Sequence, residues 1–142
     1  MDVRNARIEP TIEHGGTCKT FFMFPKESIR DETDGSYLEY ISEFEISPGT
    51  HLEPHKHNTH EFFYILSGRA LMQVGSEKRE VAPGDLIHIP PNTVHTIAPL
   101  TTSEPMRALA FAASFMPPGD RARKLNRRNC RSSARYLMGE FR

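Results

Sequence analysis

Four of the seven histidines lie within ten residues of the chain, at His51, His55, His57 and His60. In an extended strand, residues two apart point to the same face, so His55 and His57 share a face and Glu61 keeps that parity. His60 falls out of phase and is expected to point outward. Two imidazoles and a carboxylate that converge in a protein interior are costly to bury without compensation. A divalent metal ion would compensate them, and it would hold the imidazoles neutral and the carboxylate ionised.

The other histidines carry no comparable pattern. His51 is expected in a loop at the surface, and His14 stands beside Gly15 and Gly16 near the N-terminus. His88 falls on a short strand whose facing the sequence does not fix. We therefore interpret these three as solvated or hydrogen-bonded side chains.

The segments that must position these side chains are short strands. Runs of β-branched and aromatic residues are separated by proline and glycine, and the intervals are too short for many helices. Residues 37–46 alternate, with Leu38, Tyr40, Phe44 and Ile46 on one face and Glu39, Glu43 and Glu45 on the other. Further strands are expected over 62–66, 69–74, 78–81, 86–89, 93–98 and 107–115, with the second and third of these forming a hairpin. This spacing predicts an all-β sandwich or barrel.

The composition fits one globular domain of 142 residues, with 37% hydrophobic and 25% charged residues. Basic and acidic residues are equal in number, 18 each, which argues against nucleic-acid binding through bulk charge. No apolar run approaches the roughly 20 residues of a membrane span, and the N-terminus lacks the apolar core of a signal peptide. Cys18 and Cys130 are too far apart to indicate a disulfide framework or a thiolate metal site. We expect a cytoplasmic protein.

Charge is unevenly distributed along the chain. Residues 117–142 hold eight basic and two acidic residues, whereas residues 1–116 hold ten basic and sixteen acidic ones. The breaker sequence Met116–Gly119 separates the two parts. We therefore predict an N-terminal arm over 1–36, a barrel over 37–116 and a basic tail over 117–142. Residues 120–129 could form a short helix, but they hold too few apolar residues to decide. The tail is expected to be either a solvated extension or a segment docked on the acidic body.

The spacing of two motifs resembles that of the cupin superfamily. Gly49, His55, His57, Glu61 and Gly68 reproduce the first cupin motif without a mismatch. In the second motif, Gly84, Pro90 and His95 stand at the right positions, while Asn92 and Pro99 replace a glycine and an asparagine. Asparagine tolerates the left-handed turn that glycine would supply, so the first replacement costs little.

The resemblance implies a single-domain jelly-roll barrel with a metal ion near its mouth. Carried over by position, the ligands are His55, His57, Glu61 and His95. Three imidazoles and a carboxylate suit Fe, Mn, Ni, Cu or Zn, and an octahedral ion would keep two positions for other molecules. The resemblance also implies a homodimer, in which the strand expected over Thr17–Phe24 could be exchanged into a neighbour's sheet.

Phe63 shares the parity of Glu61 and is expected to line the pocket. Small cupin lyases that cleave dimethylsulfoniopropionate place a catalytic tyrosine at this position, so that activity is disfavoured unless another tyrosine reaches the site. The leading interpretation is a mononuclear metal dioxygenase that acts on a small aromatic or oxygenated substrate. The alternatives are a non-redox cupin enzyme (isomerase, decarboxylase, lyase or polyketide cyclase) and a non-catalytic binding or sensor module. The sensor is disfavoured because all four ligand positions are present.

Overall fold

The computed structural model describes residues 1–25 and 37–114, and these form two antiparallel β-sheets with one short 3-10 turn. The tail over 117–142 and the helix considered over 120–129 lie outside the described residues. The all-β architecture predicted from the sequence is confirmed. The strands are β1 (Thr11–Glu13), β2 (Cys18–Phe24), β3 (Leu38–Ile46), β4 (His60–Ser67), β5 (Ala70–Val74), β6 (Glu77–Val81), β7 (Leu86–Ile89), β8 (His95–Pro99) and β9 (Met106–Ala113).

The larger sheet has six strands in the order β1-β2-β3-β9-β4-β7. Its centre is β9, which pairs with β3 on one side and with β4 on the other. Burial alternates along β9, and the inward positions after Met106 are all alanine, at Ala108, Ala110 and Ala112. Because these side chains are small, the inner face of the sheet keeps room for a cavity.

The smaller sheet has three strands in the order β6-β5-β8. The expected hairpin is present, with Val74 paired to Glu77 across the Gly75-Ser76 turn. The two sheets enclose a core of aliphatic and aromatic side chains, among them Phe44, Ile46, Ile65, Met72, Ile89 and Ile97. No helix in the described residues is long and apolar enough to cross a membrane.

The N-terminal arm contributes a strand to the chain's own sheet. The strand expected over 17–24 forms as β2 and pairs with β3, with Cys18 opposite Ile46 and Phe22 opposite Ser42. β1 then pairs with β2 and forms the edge of the sheet. The arm thus has an intramolecular partner, which the sequence did not reveal, and exchange with a second copy stays a prediction.

The alternation predicted for residues 37–46 is wrong at Glu39. The pairing of β3 with β9 shifts register between Leu38 and Tyr40, and Glu39 is buried rather than on the outer face with Glu43 and Glu45. An irregularity of this kind changes the parity of the residues before it, which a regular period of two does not anticipate.

Two tight turns depend on left-handed backbone, and the second of them borders the candidate site. Gly68 has φ 78°, and a Cβ there would lie 2.9 Å from the Cα of Met106. Asn92 has φ 59°, the conformation expected where it replaces the motif glycine. Its backbone N–H donates to the carbonyl of His57, so this turn holds the loop that carries His57.

Candidate metal centre

Three structural elements bring the predicted ligand residues together. Glu61 lies on β4 and His95 begins β8. His55 forms an isolated antiparallel bridge with His95, in which each backbone N–H donates to the other's carbonyl at 3.2 and 2.9 Å. His57 follows two residues later in the same loop. Backbone pairing between the loop and β8 thus fixes the separation of three of the side chains.

The four side chains converge in space. One ligand atom from each of His55, His57, Glu61 and His95 lies within 4.8 Å of all the others. Oε2 of Glu61 is 3.0 Å from Nε2 of His95 and 3.7 Å from Nε2 of His57. Glu61 and His95 are only 3% and 1% exposed, while His55 is half-buried.

Backbone carbonyls determine which imidazole nitrogen faces the cluster. Nδ1 of His55 donates to the carbonyl of Glu53 at 2.6 Å, and Nδ1 of His95 donates to the carbonyl of Thr93 at 3.1 Å. A carbonyl oxygen only accepts, so each Nδ1 carries the proton. In the neutral ring, Nε2 then has a free lone pair, the arrangement that orients a histidine as a metal ligand.

The cluster contains uncompensated acceptors that a cation would satisfy. Oε2 of Glu61 and Nε2 of His95 are buried, and neither has a hydrogen-bond partner within residues 1–25 and 37–114. Buried polar atoms without partners are rare because their desolvation is unfavourable. Three nitrogens and one carboxylate oxygen form a donor set that suits divalent transition metals. The residues present therefore fit a metal ion.

The ionisation states of the cluster favour the same interpretation. Burial alone would raise the pKa of Glu61, but contact with His95 and the charge of His57 lower it below its ordinary value. Burial, followed by the charge of His95, lowers the pKa of His55. An ionised carboxylate and a neutral imidazole are the forms that bind metal.

Tyr40 is a residue of the site that sequence reasoning did not place there. Its hydroxyl donates a buried hydrogen bond to Oε1 of Glu61. Burial, followed by the charge of Glu61, raises the pKa of Tyr40 well above its ordinary value, so the hydroxyl keeps its proton. Its inward parity on β3 was visible in the sequence, but its partner was not. Tyr40 therefore reaches the site from another strand, which is the case that the sequence left open when Phe63 was found at the lyase tyrosine position.

His14 is the second residue that was missed. Its ring centroid lies 4.5 Å from that of His55, and burial, followed by the charge of His55, lowers its pKa to about 4. Its backbone has φ 52°, which is uncommon for a residue other than glycine, and Gly15 and Gly16 continue the left-handed path. The His-Gly-Gly sequence was the available signal, because only glycine follows such a turn without strain.

The remaining histidines lie outside the cluster. His60 points away from the cluster, as its parity indicated. Its ring is stacked on that of His88, and Nδ1 of His60 lies 2.8 Å from Nε2 of His88. His51 is exposed. Phe63 lines the cavity at the cluster as expected, and its ring packs edge-on against Phe44 with centroids 4.8 Å apart.

The cavity opens to solvent, and the empty space of about 420 Å³ at this position includes part of that open solvent. Three residues of the cluster, His55, His57 and Glu61, line the cavity together with inward residues of β2, β3, β4 and β9. Most of the wall is apolar, from Phe22, Phe44, Leu52, Phe63 and Ala110. A metal held by the cluster would therefore border a largely apolar pocket.

The fold and the site together are a two-sheet barrel with an inward cluster of three histidines and a glutamate that could hold a metal ion. Residues 42–112, half of the chain, match the family described as the cupin domain. The chain belongs to this family, which confirms the resemblance seen in its two motifs.

Three curated proteins show the range of relatives. An uncharacterized protein of Methanocaldococcus jannaschii is 47% identical over 92 residues, which cover 64% of this chain and 69% of that protein. An uncharacterized protein of Streptomyces coelicolor is 30% identical over 107 residues, which cover 70% and 97%. Quercetin 2,3-dioxygenase of Bacillus subtilis is 37% identical over 70 residues, which cover 49% of this chain and 20% of the enzyme.

Solved structures share the fold. A predicted oxalate decarboxylase from Thermotoga maritima superposes with a TM-score of 0.68 at 21% identity, covering 81% of this chain and all (100%) of that one. The polyketide cyclase RemF from Streptomyces resistomycificus gives a TM-score of 0.63 at 25% identity, covering 83% and 82%.

Proposed function

We propose that this protein is a mononuclear metal-dependent enzyme of the dioxygenase type that acts on a small aromatic or oxygenated molecule. The observation that carries this proposal is the pair of buried acceptors on Glu61 and His95, 3.0 Å apart beside a solvent-open cavity. The likeness to quercetin 2,3-dioxygenase, 37% over 70 residues, supports the choice of reaction class.

The proposed cofactor is one divalent ion of Fe, Mn, Ni, Cu or Zn, held by His55, His57, Glu61 and His95. When bound, such an ion supplies Lewis acidity and, for a redox-active metal, a means to activate dioxygen beside the substrate. The chain's own residues do the positioning. Backbone carbonyls orient the imidazoles of His55 and His95, and the Tyr40 hydroxyl holds one oxygen of Glu61.

The walls of the cavity select the shape of the substrate. Phe22, Phe44 and Phe63 present aromatic surface, and Ala110 leaves room between them and the sheet. Burial of apolar surface favours a ligand at roughly 25 cal/mol per Å². A planar or aromatic body therefore fits better than a strongly hydrated one such as a sugar phosphate.

The test combines metal analysis with oxygen uptake. The full chain is purified, analysed for metals, and reconstituted separately with each of the five ions. Oxygen consumption is then followed with flavonols and with simpler aromatic enols. We expect consumption that requires both metal and substrate and that is lost in His57→Ala. Conversion of a substrate by the loaded protein without oxygen uptake would contradict the dioxygenase assignment.

The second candidate is a non-redox enzyme that cyclises or isomerises a carbonyl compound. The 25% identity with the polyketide cyclase RemF, over most of both chains, favours it. This candidate predicts product formation under anaerobic conditions with a redox-inert ion such as Zn. A binding or sensor module instead predicts tight ligand binding by the loaded protein with no turnover of any ligand that binds.

A further inference from the structure

The N-terminal arm places a second polar group in the cavity wall. Glu13, the last residue of β1, lines the cavity together with Thr20 of β2. The hydroxyl of Thr20 donates a hydrogen bond to Oε2 of Glu13. Because His14 is the next residue and its ring contacts His55, this part of the arm borders the candidate metal centre.

A chain of hydrogen bonds fixes the direction of this contact. The Thr20 hydroxyl uses its proton toward Glu13, since a carboxylate only accepts. The thiol of Cys18 lies 3.5 Å from the same hydroxyl oxygen. Burial raises the pKa of this thiol to about 11, so it stays protonated and donates to Thr20. Thr20 is 5% exposed, which holds its hydroxyl and therefore Oε2 of Glu13 in place.

Only one oxygen of the Glu13 carboxylate has a partner among the described residues. Across the described ranges 1–25 and 37–114, its one hydrogen bond is the contact with Thr20, and none of the ion pairs includes it. Oε1 is left to accept from whatever enters the cavity. Among the described residues that line the cavity, Glu13 and Glu61 are the two acidic ones.

We propose that Glu13, oriented by Thr20, is a specificity-determining residue that accepts a hydrogen bond from a hydroxyl group of the substrate. This inference rests on the proposed function, because it assigns recognition of the part of the substrate that does not face the metal. The substrate class is then an aromatic or planar compound with a second hydroxyl. A neutral hydroxyl suits the site better than an ammonium group, since the two positive charges of a bound divalent ion would already be balanced by the carboxylates of Glu61 and Glu13.

The test uses simple phenols on the metal-loaded protein. Catechol, resorcinol and hydroquinone are compared with their monomethyl ethers by titration of the Co(II)-loaded full chain, with the cobalt absorption band as the signal. We expect at least one diphenol to bind about 10–100-fold more tightly than its ether, the range for a hydrogen bond to a charged acceptor. In Glu13→Gln this preference should fall to within about threefold, because a neutral acceptor is weaker.

Two further variants separate recognition from folding. Thr20→Val should reduce the preference while leaving affinity for the methyl ether unchanged, and Thr20→Ser should restore it. The matched control is Glu9→Gln, an exposed glutamate of the same arm, which should behave like the wild type. Cobalt content and thermal unfolding are measured for each variant to check that the fold and the metal centre are intact.

The outcomes distinguish this inference from the proposed function. A wild-type chain that takes up no metal contradicts the proposed function. A loaded chain that binds phenols with the same preference in wild type and Glu13→Gln contradicts the role of Glu13 and leaves the metal centre standing. Failure of every diphenol to bind, or tighter binding of hydroxybenzylamines, which carry an ammonium group at neutral pH, than of diphenols, contradicts the assigned substrate class.

Discussion

Replacement of Tyr40 by phenylalanine removes one hydrogen bond from the candidate metal centre and little else. The Tyr40 hydroxyl donates to Oε1 of Glu61, and Oε2 already lacks a partner among the described residues. In Tyr40→Phe the buried carboxylate would therefore lose its remaining donor. The ring itself stays, and with it the edge-on contact with Phe22, whose centroid is 6.0 Å away.

The expected magnitude follows from the charge and burial of Glu61, which is 3% exposed. A hydrogen bond to a charged group contributes about 1.5–3 kcal/mol, so the metal-free variant should lose roughly this much unfolding free energy at neutral pH. Metal affinity should fall about 10–100-fold, the usual cost of removing a group that orients a ligand.

The pH dependence of this loss has a definite sign. Burial acts to raise the pKa of Glu61, but contacts with His95, His57 and Tyr40 lower it overall, so the carboxylate contributes stability above its unfolded pKa and loses it as pH falls. Without the Tyr40 hydroxyl the pKa of Glu61 rises. The difference between variant and wild type should therefore be largest near pH 7 and shrink on acidification.

The assay is urea unfolding of the metal-free protein at several pH values, together with metal titration against a chelator. Tyr64→Phe is the control, because Tyr64 lies on β4 with its side chain exposed. If Tyr40→Phe matched Tyr64→Phe in both stability and metal affinity, the role assigned to the Tyr40 hydroxyl would be refuted.

Three other predictions concern the cavity and the assembly. The pKa of His14 falls from 6.5 to about 4 on folding, chiefly through burial, so the unfolded chain binds the extra proton and stability should decrease as pH drops through this window. After allowance for the partial exposure of His14, the loss of unfolding free energy over this pH window is about 1–2 kcal/mol. Urea unfolding at several pH values should show a smaller loss in His14→Gln but not in His51→Gln. Ala110→Leu should fill the cavity, abolishing phenol binding while metal content measured by elemental analysis stays unchanged; retained binding would contradict the assignment of this cavity as the substrate site. The chain should be a homodimer by light scattering at micromolar concentration, and a monomer there would overturn that expectation.

The strands and the four-residue cluster could be predicted because their signals are local. His55, His57 and Glu61 are related by parity within seven residues, and His95 follows from the spacing of a second motif. Proline and glycine mark the ends of the strands, so the hairpin of β5 and β6 could be placed from its turn. These features depend on residues that are close in sequence or fixed by a motif.

The rest of the site depends on tertiary packing. His14 and Glu13 reach the cavity because β2 pairs with β3 and carries the arm over the cluster, a pairing that no local pattern indicates. The inward parity of Tyr40 could be predicted, but its contact with Glu61 requires β3 and β4 to flank β9 in one sheet. Glu39 was misplaced because a register shift interrupts the period of two.

Metal titration of the full chain with its His57→Ala and His60→Ala variants tests the central claim most directly. The two histidines are three residues apart, but His57 lies in the inward cluster whereas His60 is paired with His88 outside it. We expect the wild type and His60→Ala to bind one equivalent of divalent metal with equal affinity. His57→Ala should bind at least about tenfold more weakly. A wild type that binds no metal, or equal losses in both variants, would contradict the account.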